Sequence, residues 1–219
     1  MSSAVAERPQ SLGEEIANAV SHGLGFLLAV AALPILAWQA QRHGGAADVV
    51  AACVFASTMM LLYGVSTLYH ALPAGTAKRW LQRLDHAAIY VFIAGSYTPF
   101  TLGVLHGPWG WSMFGVVWAA ASLGVAVKLL NRLRHPWVST GLYVAMGWVA
   151  VVAAAPLVER MAPAGLAWLV AGGLSYTLGA VVFLLDNRVR YAHTLWHGFV
   201  LAGSACHFFA ALGYAHAQA

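Results

Sequence analysis

Three histidines lie near the ends of apolar segments, and together they could hold a metal ion. His193 and His197 are four residues apart, and His70 closes a separate apolar segment. Residues four apart share one face of a helix, so His193 and His197 can bind the same ion. Three imidazoles with a fourth position left open to water form a ligand set typical of catalytic zinc. The sequence therefore predicts a Zn²⁺ site made by His70, His193 and His197.

Two further polar residues belong with this set. Ser66 precedes His70 by four residues and shares its helix face, and Asp85 begins the next apolar segment. A carboxylate beside a metal-bound water can accept its proton, and the metal lowers the pKa of that water towards about 7. We therefore predict catalytic roles for Asp85, as the base, and for Ser66, which would orient Asp85 or the water, or bind substrate.

Each of these residues also has a structural interpretation. Two histidines at this spacing arise by chance in a chain with ten histidines. Asp85 alone could be an interfacial carboxylate paired with Arg83 or Lys78. Ser66 alone could be a packing hydroxyl bonded to its own helix backbone. These alternatives stay open on the residues alone.

The composition indicates which elements must position the site. Hydrophobic residues make up 61 % of the 219 residues and charged residues 8 %, whereas a soluble domain carries about 25 % charged residues. Apolar stretches of roughly 20 residues, enough to cross a bilayer, recur along the chain. We predict an all-α integral membrane protein, a bundle of seven transmembrane helices. The predicted spans are 16–40, 47–70, 85–104, 111–130, 137–155, 165–185 and 193–215.

The basic residues are divided unequally between the two membrane faces. With seven spans, one face holds only Arg42 and Arg160. The other face holds Arg8, Lys78, Arg79, Arg83, Lys128, Arg132, Arg134, Arg188 and Arg190. Cytoplasmic loops carry the excess of Lys and Arg, so we predict a cytoplasmic N-terminus and an external C-terminus in the cell inner (plasma) membrane. The net charge of +4 is explained by these loops and does not indicate a nucleic-acid partner.

This topology divides the chain and sets the depth of the candidate site. We expect a cytoplasmic tail at 1–15, a single transmembrane domain at 16–215 and a short external tail at 216–219. Ser66, His70, Asp85, His193 and His197 would then lie together near the cytoplasmic face.

Three other histidines have less defined roles. His22 begins the first span on the cytoplasmic side and could line the site or serve packing. His86 points roughly 100° away from Asp85 and cannot easily face the same ion. His207 lies about 15 Å deeper than His197, and could bond to another helix or line a cavity.

Four segments together resemble the hemolysin III family, in order and spacing over nearly the whole chain. They read GEEIANAVSHGLG, STLYH, LDHAAIYVFIAGSYTPF and HTLWHGFVLAGSACHFFA. That family belongs with the progestin and adiponectin receptors and, more distantly, the alkaline ceramidases. The resemblance implies seven transmembrane helices, zinc held by His70, His193 and His197, a zinc-bound water held by Asp85, and Ser66 as a fourth polar signature residue.

The resemblance also suggests a function. It implies a zinc-dependent hydrolase of lipid amides or esters, acting in membrane-lipid homeostasis on a fatty-acyl or sphingolipid-like substrate or ligand. A lipid receptor or sensor with a structural zinc stays open, since a closed four-ligand site favours structure and an open one favours hydrolysis. A pore-forming cytolysin is a further alternative, but a channel needs polar lining across the bilayer. The sequence leaves the oligomeric state undetermined.

Overall fold

The chain folds into helices, and the described residues contain no strand. The computed structural model describes residues 8–133 and 135–215. The helices are α1 (Leu12–His43), α2 (Ala46–Ala71), α3 (Thr76–Pro99), α4 (Gly107–Leu129), α5 (Pro136–Gly147), α6 (Ala154–Arg160), α7 (Pro163–Phe183) and α8 (Ala192–Tyr214). A π-helical turn, Phe100–Val104, continues α3, and a 3₁₀ segment, Trp148–Ala153, joins α5 to α6.

Seven of these helical segments are long and apolar enough to cross a membrane. The fifth in chain order, Pro136–Arg160, is composite and contains α5, the 3₁₀ segment and α6. The prediction of an all-α membrane protein with seven spans is confirmed. The sides on which the termini lie stay a prediction. The tail at 216–219 and the first seven residues of the tail at 1–15 lie outside the described residues.

The first helix begins at Leu12 and therefore takes in residues expected in the polar tail. Ser11 and Glu14 form a capping box: the Glu14 N–H donates to Ser11 Oγ, and the Ser11 N–H donates to Glu14 Oε2 at 2.9 Å. These reciprocal bonds satisfy N–H groups that lack partners at a helix start. The earlier start makes Glu15 helical and aims it at the bundle interior.

The helices surround a core in which α1 packs along α2 and α8, and α2 along α3. Its largest buried apolar side chains include Phe55 and Tyr63 from α2, with Phe92 from α3. Large apolar residues also cover the outer faces, for example Leu27 and Trp38 of α1. Such faces suit a helix surrounded by lipid, where the outside is as apolar as the core.

The last two spans, α7 and α8, approach each other closely at glycine. A Cβ placed on Gly203 would lie 2.6 Å from the ring of Tyr176. Small residues let transmembrane backbones come close enough for contact along the whole interface. In this interface Tyr63 donates to Ser204 Oγ at 2.7 Å, and the Tyr176 hydroxyl lies 3.1 Å from the same oxygen.

Candidate metal centre

Three buried histidines meet inside the bundle. His70 lies in the last turn of α2, whereas His193 and His197 lie one turn apart near the start of α8. Each can offer one ligand nitrogen so that the three atoms lie within 4.8 Å of one another. The fold thus brings together the histidines chosen from the sequence, in an arrangement that could bind a metal ion.

Carboxylates hold two of the three rings through their Nδ1 atoms. His70 Nδ1 donates to Glu15 Oε2 at 2.8 Å, and His193 Nδ1 donates to Asp186 Oδ2 at 3.0 Å. An ionised carboxylate only accepts, so the proton of each neutral imidazole lies on Nδ1. A hydrogen-bonded carboxylate behind the ring is the usual support of a metal-ligating histidine, because it fixes the tautomer and the ring orientation.

A serine holds the third ring in the same way. The Ser21 hydroxyl donates its hydrogen to the Asn18 carbonyl at 2.9 Å, and its oxygen lies 3.0 Å from His197 Nδ1. Since the hydroxyl hydrogen is committed, the His197 Nδ1–H must be the donor in the second bond. His197 is therefore in the same tautomer as the two other histidines.

The three Nε2 atoms are left for a ligand. Those of His70, His193 and His197 are buried, and no other described residue is their hydrogen-bond partner. A buried polar atom without a partner is uncommon in folded proteins and often marks an ion or water that completes the site. Three unprotonated imidazole nitrogens fit a borderline metal such as zinc better than magnesium or calcium, which prefer oxygen ligands.

The segment that precedes α1 ties the centre to the α7–α8 loop. Arg8 pairs with the buried Glu14, which also accepts the Tyr191 N–H at 3.0 Å. The hydrogen bond to Glu14 raises the pKa of the Arg8 guanidinium. Gln10 donates to Asp186 at 3.2 Å. The Asp186 carboxylate therefore bonds to His193 on one side and to Gln10 on the other.

His22 lies directly against the centre. Its ring stacks on that of His197, with the centroids 3.4 Å apart and the planes 9° from parallel. Its Nδ1 lies 2.7 Å from Ser66 Oγ. His22 therefore lies against the three-histidine group and also packs between neighbouring rings, so both roles considered for it in the sequence stay open.

Asp85 and Ser66 lie beside the histidines. Ser66 is fully buried, and its hydroxyl faces the Asp85 carboxylate as well as His22. Asp85 is buried in α3 and lines a large cavity together with His70 and His193. These positions suit the roles expected of both residues, which remain predictions.

The cavity is about 1250 Å³ in volume and runs from the histidines into the bundle. Its walls come from α1, α2, α3, α5, α7 and α8, with Lys128 of α4, and they are mostly apolar beyond the metal centre, with residues such as Phe92, Ile93 and Val200. His86 and His207 also line it, although neither belongs to the three-histidine group. Lining a cavity is one of the two roles that the sequence left open for His207. Its ring also packs edge-on against Tyr176.

Several residues of the site were missed by the sequence analysis. The sequence predicts Glu15 in a polar tail and indicates no role for Asp186 or Ser21. Their supporting roles depend on which groups face one another across helices, and spacing along one helix does not contain that information. The one usable signal was that GEEIANAVSHGLG carries two carboxylates, a serine and a histidine beside an apolar run.

A family model and two bacterial relatives match nearly the whole chain. Residues 10–208 match the family model described as Haemolysin-III related. The chain is 43 % identical over 205 residues to Hemolysin-3 of Bacillus cereus, covering 94 % of this chain and 93 % of the relative. It is 41 % identical to the Hemolysin-3 homolog of Bacillus subtilis (strain 168), with 93 % and 95 % covered.

A human protein is more distantly similar. The monocyte to macrophage differentiation factor of Homo sapiens is 28 % identical over 205 residues, covering 90 % of this chain and 82 % of the relative. The seven spans and the bacterial relatives fit a multi-pass protein of the bacterial plasma membrane. With the family match running from just before α1 into α8, the chain belongs to the haemolysin-III-related family.

Proposed function

We propose that the three-histidine centre binds zinc and that the protein is a metal-dependent hydrolase of lipid amides or esters. The observation that carries this proposal is the set of three buried Nε2 atoms without partners, on rings that are each fixed through Nδ1. A divalent ion held there would polarise a substrate carbonyl and lower the pKa of nearby water towards about 7.

The protein residues around the centre would then move the protons. A carboxylate oxygen of Asp85 accepts a proton from the attacking water and afterwards gives it to the leaving nitrogen or oxygen. Ser66 supports this step because its hydroxyl faces Asp85 and can hold the carboxylate in one orientation. His70, His193 and His197 keep their ring orientations because Glu15, Asp186 and Ser21 fix the opposite nitrogens.

The cavity supports a lipid substrate. It begins at polar residues and continues between apolar walls, as a site for an acyl chain with one polar end should. Within α5, which forms one wall, the buried residues are Ser139, Thr140 and Met146. A wall held by few buried residues could let a fatty-acyl or sphingolipid-like molecule pass sideways from the bilayer.

We propose that the metal centre lies near the cytoplasmic face of the membrane. The segment before α1 and the α7–α8 loop contact each other at the same end of the bundle as the metal centre, for example through Arg8 and Asn187. Lys78 of α3 reaches Glu15 at that end. These cations belong to the face that holds most of the Lys and Arg, which favours the cytoplasm.

The proposal is tested by Asp85→Asn in purified protein, with a long-chain acyl amide and the matching ester as substrates. Loss of a general base should lower turnover by about 100-fold or more while the metal content stays equal to that of the wild type. Glu159→Gln is the control, because this substitution removes the same charge at an exposed position on α6. Unchanged turnover in a metal-loaded Asp85→Asn protein contradicts the proposal.

A structural metal in a lipid sensor is the second candidate. The observation that favours it is that an ion here would join α2 to α8, while Glu15 and Ser21 join both to α1. Saturable lipid binding by metal-loaded wild type, without turnover of either substrate, would select this function. A pore is not favoured, since the cavity walls beyond the metal centre are mostly apolar.

A further inference from the structure

His22 carries a hydrogen-bonding atom that the metal centre does not use. Its Nε2 is buried, and no described residue is its hydrogen-bond partner. The group whose ligand atoms lie within 4.8 Å of one another contains only His70, His193 and His197 among the described residues. His22 nevertheless lines the cavity. An unsatisfied buried atom in the wall of a cavity is placed to bind what enters that cavity.

The ring of His22 is fixed in one orientation. Its face lies on His197, its edge meets Tyr63 with the ring centroids 5.0 Å apart, and its Nδ1 bonds to Ser66. His22 itself is 2 % exposed. Because these contacts hold three sides of the ring, Nε2 cannot turn away to find another partner. A group held in this way is preorganised and loses little conformational freedom when a ligand binds.

The hydrogen bonds of Ser66 determine whether His22 Nε2 donates or accepts hydrogen bonds. The hydroxyl of Ser66 has one hydrogen, and it faces the Asp85 carboxylate, which in its ionised form can only accept. When that hydrogen goes to Asp85, the bond between Ser66 and His22 must be donated by the His22 Nδ1–H. A neutral imidazole has one N–H, so Nε2 then carries a lone pair and accepts hydrogen bonds.

We propose that His22 Nε2 is a ligand-binding acceptor in the cavity wall, which hydrogen-bonds an O–H or N–H group of the lipid that occupies the cavity. The order of bonds is ligand to His22, His22 to Ser66, and Ser66 to Asp85. Binding at His22 would therefore place the polar end of a lipid beside both Asp85 and the metal centre. This inference concerns binding and does not require that the protein hydrolyses lipid.

The experiment compares two probes that differ by one donor and contain no amide or ester. Hexadecanol carries an O–H, whereas methyl hexadecyl ether has an oxygen in the same place without the hydrogen. Wild-type protein should bind the alcohol about tenfold more tightly than the ether, the effect of one well-made hydrogen bond. The variant His22→Phe keeps an aromatic ring against His197 and removes both nitrogens, so it should bind the two probes equally.

The matched control is His43→Phe, at the exposed end of α1, which should keep the wild-type preference. Each comparison is made with metal-loaded and chelator-treated protein. A preference that disappears on chelation assigns the alcohol to the metal and overturns the proposal. Equal binding of both probes by wild type, or an unchanged preference in His22→Phe, also overturns it.

A second measurement on wild type covers the case in which His22→Phe does not fold. Imidazole nitrogen NMR should show an unprotonated His22 Nε2 whose resonance moves when the alcohol, but not the ether, is added. A protonated Nε2 or an unmoved resonance contradicts the inference. Absence of lipid turnover by wild-type protein, or unchanged turnover in Asp85→Asn, would defeat the proposed hydrolase and leave these binding outcomes unaffected, so the two failures are distinguishable.

Discussion

Glu15 should control metal affinity although it contacts no metal ligand atom itself. Its Oε2 accepts from His70 Nδ1 and its Oε1 accepts from Lys78, both at 2.8 Å. The change Glu15→Gln removes a negative charge that stabilises a dication on the far side of the imidazole. Loss of such a supporting group lowers metal affinity by about 10- to 100-fold, which is about 1.4 to 2.8 kcal/mol.

Because of Lys78, the loss of metal affinity in Glu15→Gln should lie near the upper end of this range. The Lys78 ammonium also donates to the carbonyls of Tyr69 and Leu72 at 3.0 Å each, so it stays in place when Glu15 is neutralised. An uncompensated cation then remains close to the bound dication. We therefore expect a loss of about 100-fold in Glu15→Gln, and partial recovery when Lys78→Met is added.

Asp186→Asn provides the comparison without a hydrogen-bonded lysine, since the cation that interacts with Asp186, Arg8, is already paired with Glu14. The side chains of Glu15 and Asp186 are each 20 % exposed, so solvent screens the two carboxylates to a similar extent. Asp186 accepts from Gln10, a neutral group, and its loss should lower affinity by about tenfold.

The assay is competition for zinc between a chromophoric chelator and purified protein in detergent, with Glu159→Gln as the charge-matched control. Equal zinc affinity of Glu15→Gln and wild type would refute the reasoning. So would a loss as large in Glu159→Gln as in Glu15→Gln.

Three smaller effects are expected. Ser21→Ala removes the acceptor of His197 Nδ1 without a change of charge, so chelator competition should show a zinc affinity lowered by less than in Asp186→Asn; an equal or larger loss contradicts this. Ser204→Ala removes the common partner of two tyrosine hydroxyls and should destabilise the fold by about 1 kcal/mol in thermal unfolding, while zinc content stays unchanged. Gly203→Ala forces a methyl group against the Tyr176 ring and should lower stability by about 1–3 kcal/mol, and an unchanged unfolding temperature would show that the helices can separate at no cost.

The spans were predictable because lipid imposes a simple rule on sequence. A helix that satisfies its own backbone hydrogen bonds and presents apolar side chains is the available solution, so runs such as 165–185 indicate helices directly. The interruptions were less predictable. The break between α5 and α6 at Trp148–Ala153 directly follows Gly147 and precedes Pro156, and the predicted span 137–155 took no account of either residue.

The three candidate ligands could be selected from the sequence for a related reason. Imidazoles are rare in membrane spans, so the few that occur indicate a functional site. The spacing of His193 and His197 places both on one helix face. Their supporting groups were not predictable in the same way. The capping box at Ser11 makes both Glu14 and Glu15 helical, but which of them faces His70 depends on how α1 is rotated against α2, which spacing along α1 does not indicate.

The central claim is that His70, His193 and His197 form a zinc site, and metal analysis tests it most directly. Mass spectrometry of purified, detergent-solubilised protein should find about one zinc per chain in wild type and in Ser66→Ala, and none in His193→Ala. Absence of bound metal from carefully prepared wild type, or full retention of zinc in His193→Ala, would contradict the account.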